Sequence, residues 1–155
     1  MAKKSAGLLL YRKSSGSSEI EVLLVHPGGP FWRKKDEGAW TIPKGEFDDD
    51  EEALAAAKRE FKEELGFAPP EGDYLALTPI KQKAGKTVLA WAIEGAFDPA
   101  RLESNTFQCE WPPRSGQTQE FPEVDRAEWF KREIAERKIL PAQIQLIEEL
   151  LEVLR

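Results

Sequence analysis

Val88, Leu89, Ala90, Trp91, Ala92 and Ile93 follow one another without a polar residue. The run is far too short for a membrane helix, which needs roughly 20 apolar residues. It also lacks the alternation of a strand with one wet face. It reads as the centre of a strand over 87–94 that is buried on both faces, so the sheet holding it must be covered on both sides. Further strands are expected at 6–11, 20–25, 40–43, 74–83 and 127–130, with a short turn at 84–86. The covering helices are read as one starting within 49–52 and ending at Leu65, a short one over 131–137, and a last one with Pro141 in its first turn. Asp49 and Glu52 have capping-box spacing, and Gly66 is the expected stop. Ile144, Ile147, Leu151 and Leu154 form the apolar stripe of the last helix. Residues 99–119 read as irregular. These elements imply an α/β or α+β sandwich around a mixed sheet, as one domain over 1–155.

Composition narrows the chemistry. One cysteine and one histidine in 155 residues exclude an internal disulfide, a cysteine zinc framework and a two-histidine zinc site. The 22 basic and 28 acidic residues leave a net charge of −6, which argues against a duplex nucleic-acid footprint. Nothing approaches a membrane span, and the apolar stretch after Lys3 and Lys4 is too short for a signal peptide. A cytoplasmic location is the default. A small phosphorylated ligand stays open, because a metal ion can bridge acid to phosphate.

The chemistry-bearing segment is 45–67. At about 100° per residue, Glu60, Glu63 and Glu64 share one helix face. The apolar stripe of Leu54, Ala57, Phe61 and Leu65 is centred roughly 100° from it, so the acids flank the buried side. On a wet face such a cluster costs a few tenths of a kcal/mol per pair, as in many acidic proteins. Against a core the repulsion is larger and a cation relieves it. Oxygen-only ligands favour magnesium, manganese or calcium over zinc.

The spacing of this segment is Gly45, Glu51, then Arg59-Glu60-Phe61-Lys62-Glu63-Glu64-Leu65-Gly66-Phe67. It resembles the signature of the Nudix hydrolases, G-x5-E-x7-R-E-U-x-E-E-x-G-U, in which U is bulky and apolar. Every specified position is met. The resemblance implies an α/β/α sandwich with a central mixed sheet. It also implies hydrolysis of a nucleoside diphosphate linked to another moiety, by water attack on phosphorus with Mg2+ or Mn2+. By position, Glu60, Glu63 and Glu64 would hold metal, with the backbone carbonyl of Lys44 as a further ligand. Either Glu60 or a more distal glutamate would be the base, so Glu60, Glu63, Glu123 and Arg59 make up the catalytic set. Arg59 would act through an ion pair with Glu51 that orients loop and helix, and Gly45 and Gly66 would shape the box. Glu123 is the favoured acid from outside the box, because its spacing to Trp129 and Phe130 resembles diadenosine tetraphosphate hydrolases. Glu120 is the second choice.

The Pro43-Lys44-Gly45 approach to the box resembles the diadenosine polyphosphate and diphosphoinositol branches, and the segments 6–11 and 86–91 are similar to the diadenosine tetraphosphate hydrolases. The implied substrate is therefore diadenosine tetraphosphate, cut to ATP and AMP. The alternatives are a nucleoside triphosphate pyrophosphohydrolase, as in predicted bacterial relatives, and a non-catalytic ligand sensor. Residues 31–38 and 107–116 have no recognised counterpart in the diadenosine branch. Lys44, Lys83, Lys86 and Trp32 are candidate substrate contacts, and Phe31 and Trp111 are candidate stacking rings. Trp40 and Trp91 are read as core, and His26 as structural or a minor substrate contact. The chain is expected to be a monomer or homodimer.

Overall fold

A computed structural model describes residues 3–14, 16, 19–82 and 85–154. The chain runs through β1 (Lys4–Lys13), β2 (Ile20–Pro27), β3 (Lys44–Glu46), α1 (Ala53–Leu65), β4 (Leu75–Ala76), β5 (Ile80–Lys81), β6 (Thr87–Glu94), β7 (Thr106–Glu110), β8 (Thr118–Pro122), β9 (Val124–Lys131), α2 (Arg132–Lys138) and α3 (Ile144–Val153). The main sheet has the order β4-β6-β1-β2-β9, with β3 alongside β1 and β5 alongside β6. β1 pairs in parallel with β6 and antiparallel with β2, so the sheet is mixed.

Alternation along the central strands divides the apolar residues between two cores. Leu8 and Leu10 of β1 pack with Ala56, Ala57, Phe61 and Leu65 of α1. Leu9 and Tyr11 point the other way, towards Leu146, Ile147 and Leu150 of α3 and Ala135 of α2. This is the α/β/α sandwich that the box resemblance implied, and it covers both faces of the sheet as the apolar run of β6 requires. Among the described residues no helix is long and apolar enough to cross a membrane.

Several boundaries differ from expectation, each for a physical reason. α1 starts at Ala53, and its N-cap Glu52 makes no side-chain cap bond, so the Asp49–Glu52 capping box does not form. The acidic run turns instead, with the Glu51 N–H donating to the Asp48 carbonyl at 3.1 Å. Trp40 and Thr41 make only isolated bridges, to Ile139 and Val25, and the strand falls one step later at β3. The expected 74–83 strand breaks into β4 and β5. Thr78 between them is held by Glu149 of α3 rather than by a neighbouring strand, and Pro79 has no N–H to donate. Part of that expected strand, and of the 84–86 turn, lies outside the described residues. The 99–119 stretch is not irregular throughout, since β7 and β8 form an antiparallel hairpin. In α3 the most buried residues are Leu146, Ile147 and Leu150, with Ile144 and Leu151 at the flanks and Leu154 exposed. The buried face continues from Gln143, just before the helix, which is itself buried and bonded to the Ile42 N–H and Thr41.

Candidate active site

The site forms where β3, α1 and the β8–β9 turn meet. β3 lies against the start of β1, with Gly45 opposite Ala6 and Lys44 opposite Gly7. This register brings residue 45 against the acidic side of α1. A Cβ on residue 45 would sit 2.1 Å from the Glu60 carboxyl carbon, so only glycine admits that carboxylate. Glu60 is only 8% exposed. The Lys44 backbone N–H donates to Glu64 at 3.3 Å. Gly66 ends α1 in the left-handed region, φ +87°, directly against the Glu103 carbonyl.

Arg59 braces the acids. Its Nε and Nη2 grip Glu51 at 2.9 and 3.0 Å, the two-pronged pair implied by the box resemblance. Its Nη1 reaches Glu60 at 2.8 Å and Glu63 at 3.3 Å. The guanidinium therefore lies between two of the box glutamates. Glu51 is held below the usual carboxylate range by the bond from Arg59, and Arg59 itself is pushed up.

Glu60 and Glu64 bind protons more strongly than free carboxylates. Burial raises Glu60, and the bond from Arg59 partly offsets it. Among the described residues no cation bonds the Glu64 carboxylate, and burial, with Glu60 and Glu123 nearby, pushes it up to about 8. Burial holds Lys44 below the usual lysine range, and the Glu64 charge opposes that. This is the electrostatic signature of negative charge held near a core without enough compensation.

Glu123 joins the same cluster from outside the helix. It is half-buried between β8 and β9, and burial followed by the Glu63 charge raises it. Backbone bonds fix it. Its N–H donates to the Asn105 carbonyl at 2.9 Å, and its own carbonyl accepts from Gly28 at 2.8 Å. The Asn105 N–H donates to the Glu63 carbonyl at 2.9 Å, tying this turn to α1. Glu120 instead lies exposed within the hairpin, opposite Gln108.

The remaining expected contacts spread around this centre. Lys86 pairs with Glu46 at 3.4 Å, and its charge reaches Lys44. Lys83 lies outside the described residues. Trp32 is 37% exposed in the 28–38 loop, with the Lys35 ammonium 5.1 Å above its ring. Trp40 is buried core, and Trp91 packs at the edge of the α1-side core. His26 is fully buried, 2.7 Å from Asp125 and 2.6 Å from the Lys35 carbonyl, which accepts from Nε2. Sequence reasoning missed Asp125 and Asn105 as organisers of the site. Asp125 stands 99 residues from His26, and Asn105 acts through its backbone, so neither leaves a local signal. Among the described residues, no group of three acids, histidines or cysteines stands arranged to hold a metal ion, and Arg59 occupies the space between Glu60 and Glu63.

A two-sided sandwich with a glycine-framed acidic helix is the architecture of the Nudix class. The NUDIX domain model matches residues 1–150, and the chain belongs to the Nudix family. A 64-residue stretch is 44% identical to the asymmetrical bis(5′-nucleosyl)-tetraphosphatase of Caenorhabditis elegans; the match spans 41% of this chain and 41% of that relative. The crystal structure of a C. elegans Ap4A hydrolase binary complex aligns over 97% of both chains, with a TM-score of 0.68 and 24% identity. The NUDIX domain of Shewanella oneidensis NrtR, complexed with ADP ribose, aligns over 100% of this chain and 90% of its own, with a TM-score of 0.65 and 18% identity. At these identities the two structures establish a shared fold.

Proposed function

We propose that the chain hydrolyses a pyrophosphate bond in a nucleotide substrate, with diadenosine tetraphosphate as the preferred one, giving ATP and AMP. The observation that carries this reading is that Glu60, Glu63, Glu64 and Glu123 stand close enough beside a core to feel one another's charge, with Arg59 between Glu60 and Glu63 and, among the described residues, no three of them gathered as ligands. Three of them, Glu60, Glu64 and Glu123, have raised proton affinity. Carboxylates collected at such cost fit a hard divalent cation, and the donor set is oxygen alone. In this reading Glu60, Glu63 and Glu64, with the Lys44 carbonyl, hold Mg2+ or Mn2+. The ion would neutralise phosphate charge and polarise the bridge. Glu123 or Glu60 takes the proton of the attacking water, and its raised affinity suits that task. Arg59 and Glu51 orient the acids without touching substrate. Lys44 and Lys86 supply positive charge on the phosphate side.

The tetraphosphate preference rests on the likeness to the C. elegans enzyme and on the Lys44 approach to the box. A single domain over 1–155, a cytoplasmic location and a monomer or homodimer complete the reading. The test is incubation of the purified protein with magnesium and a panel of diadenosine tetraphosphate, common and oxidised nucleoside triphosphates and ADP-ribose, with products resolved by chromatography. ATP plus AMP well ahead of other products is the expected result. Pyrophosphate release from one triphosphate overturns the tetraphosphate preference. No turnover of any member overturns hydrolysis and moves the chain to the sensor alternative.

A further inference from the structure

The 28–38 loop and the β7–β8 hairpin lie edge to edge, and the contact starts at Glu123. The Gly28 N–H donates to the Glu123 carbonyl at 2.8 Å, and a Cβ on residue 28 would meet the Pro122 carbonyl oxygen at 2.0 Å. One residue further out, a Cβ on Gly29 would sit 2.9 Å from the Phe107 ring. Further still, Phe31 meets Trp111 edge to face, with centroids 5.7 Å apart. The glycine pair lets the two segments run in contact away from the acids, and an aromatic pair closes the outer end.

The loop half of that pair is poorly explained by folding. Phe31 is 61% exposed, so its ring gains little from burial, while Trp111 is partly buried. The loop is nevertheless held firmly. His26 grips the Lys35 carbonyl, and Asp36 accepts from the Trp40 indole at 2.8 Å and pairs with Lys138. The same loop exposes Arg33, Lys34 and Lys35, a positive run suited to phosphate. The hairpin pairs from Thr106–Pro122 at the base to Glu110–Thr118 at the tip. Four residue steps of about 3.4 Å place the tip about 14 Å from the Glu123 end.

We infer that Phe31 and Trp111 form a nucleobase subsite for the part of the substrate that leaves with the longer phosphate chain. The inference rests on the pyrophosphohydrolase reading and adds a length criterion to it. A base seated this far from the acids must be joined to the reacting phosphorus by several phosphates. The subsite therefore selects a dinucleoside polyphosphate over a triphosphate attacked close to its own nucleoside.

The test is calorimetric binding of a methylene-bridged, non-hydrolysable analogue of diadenosine tetraphosphate, with inorganic tripolyphosphate as the baseless probe. Phe31→Ala and Trp111→Ala are each expected to weaken the analogue by about fivefold to a hundredfold, the range of one lost base-stacking contact. Tripolyphosphate should bind both variants as it binds the wild type, and Trp111→Phe should recover most of the loss. Equal analogue affinities in wild type and both alanine variants overturn the inference, leaving the patch to a protein partner or a second copy of this chain. Parallel loss of tripolyphosphate binding also overturns it, because the rings would then act through the fold. Tight analogue binding by a wild type that turns over no substrate would sink the hydrolase reading while sustaining the subsite.

Discussion

Glu60 and residue 45 compete for one space, because a Cβ at 45 would stand 2.1 Å from the Glu60 carboxyl carbon. The box glycine is thus explained by close approach. Gly45→Ala must push the Glu60 carboxylate away from β3 or open β3 from β1. The expected outcome is a fall in turnover of at least about tenfold, which corresponds to about 1.4 kcal/mol of lost barrier reduction. The folded state should survive. Steady-state kinetics beside a thermal melt checks this, and a variant with wild-type turnover would show that Glu60 can be displaced without consequence.

Glu64 couples stability to pH in the metal-free protein. Its proton affinity in the folded state is raised to about 8, whereas in the unfolded chain it ionises near the usual 4.5. Between those values the folded state holds a proton that the unfolded state has lost. Stability from this group is therefore present at low pH and declines as pH rises from about 4.5 to about 8. With EDTA present, Glu64→Gln should melt increasingly above the wild type as pH is raised through that window, by several degrees at its upper end. Magnesium should narrow the gap at pH 8, because binding to the folded ionised form stabilises it. A constant difference between the two melting curves from pH 5 to 8 would rule this out.

What could be read from the sequence was what local spacing encodes. The acidic face of α1 and its end at Gly66 follow from positions within one helix, whereas the Glu51–Arg59 pair came from the resemblance of the box. The two-sided sheet followed from the apolar run of β6. The β7–β8 hairpin was not legible, since Thr106, Gln108 and Glu110 alternate with only modestly buried Phe107 and Cys109, and Trp111-Pro112-Pro113 reads as loop. Glu123 was expected near the box from its resemblance to a related branch, but the backbone bonds that fix it, to Asn105 and Gly28, 18 and 95 residues away, were not legible. The buried face of α3 was read one step off because it continues from Gln143, a buried polar residue bonded to the Ile42 N–H, through Leu146, Ile147 and Leu150.

Arg59 does two jobs that a lysine cannot share. Its fork holds both oxygens of Glu51 while Nη1 reaches Glu60 and Glu63. Arg59→Lys keeps the charge but loses the fork. Turnover is expected to fall about tenfold or more, with the loss in kcat rather than in KM, because the residue orients acids and touches no substrate. Glu51→Gln should reproduce the same split. A rise confined to KM in either variant would instead place the guanidinium on the substrate.

Glu123 and Glu120 offer a direct comparison within three residues. Glu123 is half-buried at the base of the hairpin, and both burial and the Glu63 charge raise its proton affinity, while Glu120 stands exposed in β8. A general base is worth about 10²- to 10⁴-fold in rate. Glu123→Gln is therefore expected to slow turnover by about a hundredfold. A metal-holding acid contributes several kcal/mol to charge stabilisation, so Glu63→Gln or Glu64→Gln should cost about a thousandfold or more. Glu120→Gln should leave the rate within about twofold, as surface changes away from a site do. Measuring kcat for all four variants at saturating magnesium decides the assignment. A large loss at Glu120 with none at Glu123 would transfer the distal acid to the hairpin, and near wild-type rates for both Glu63→Gln and Glu64→Gln would remove the metal from the box.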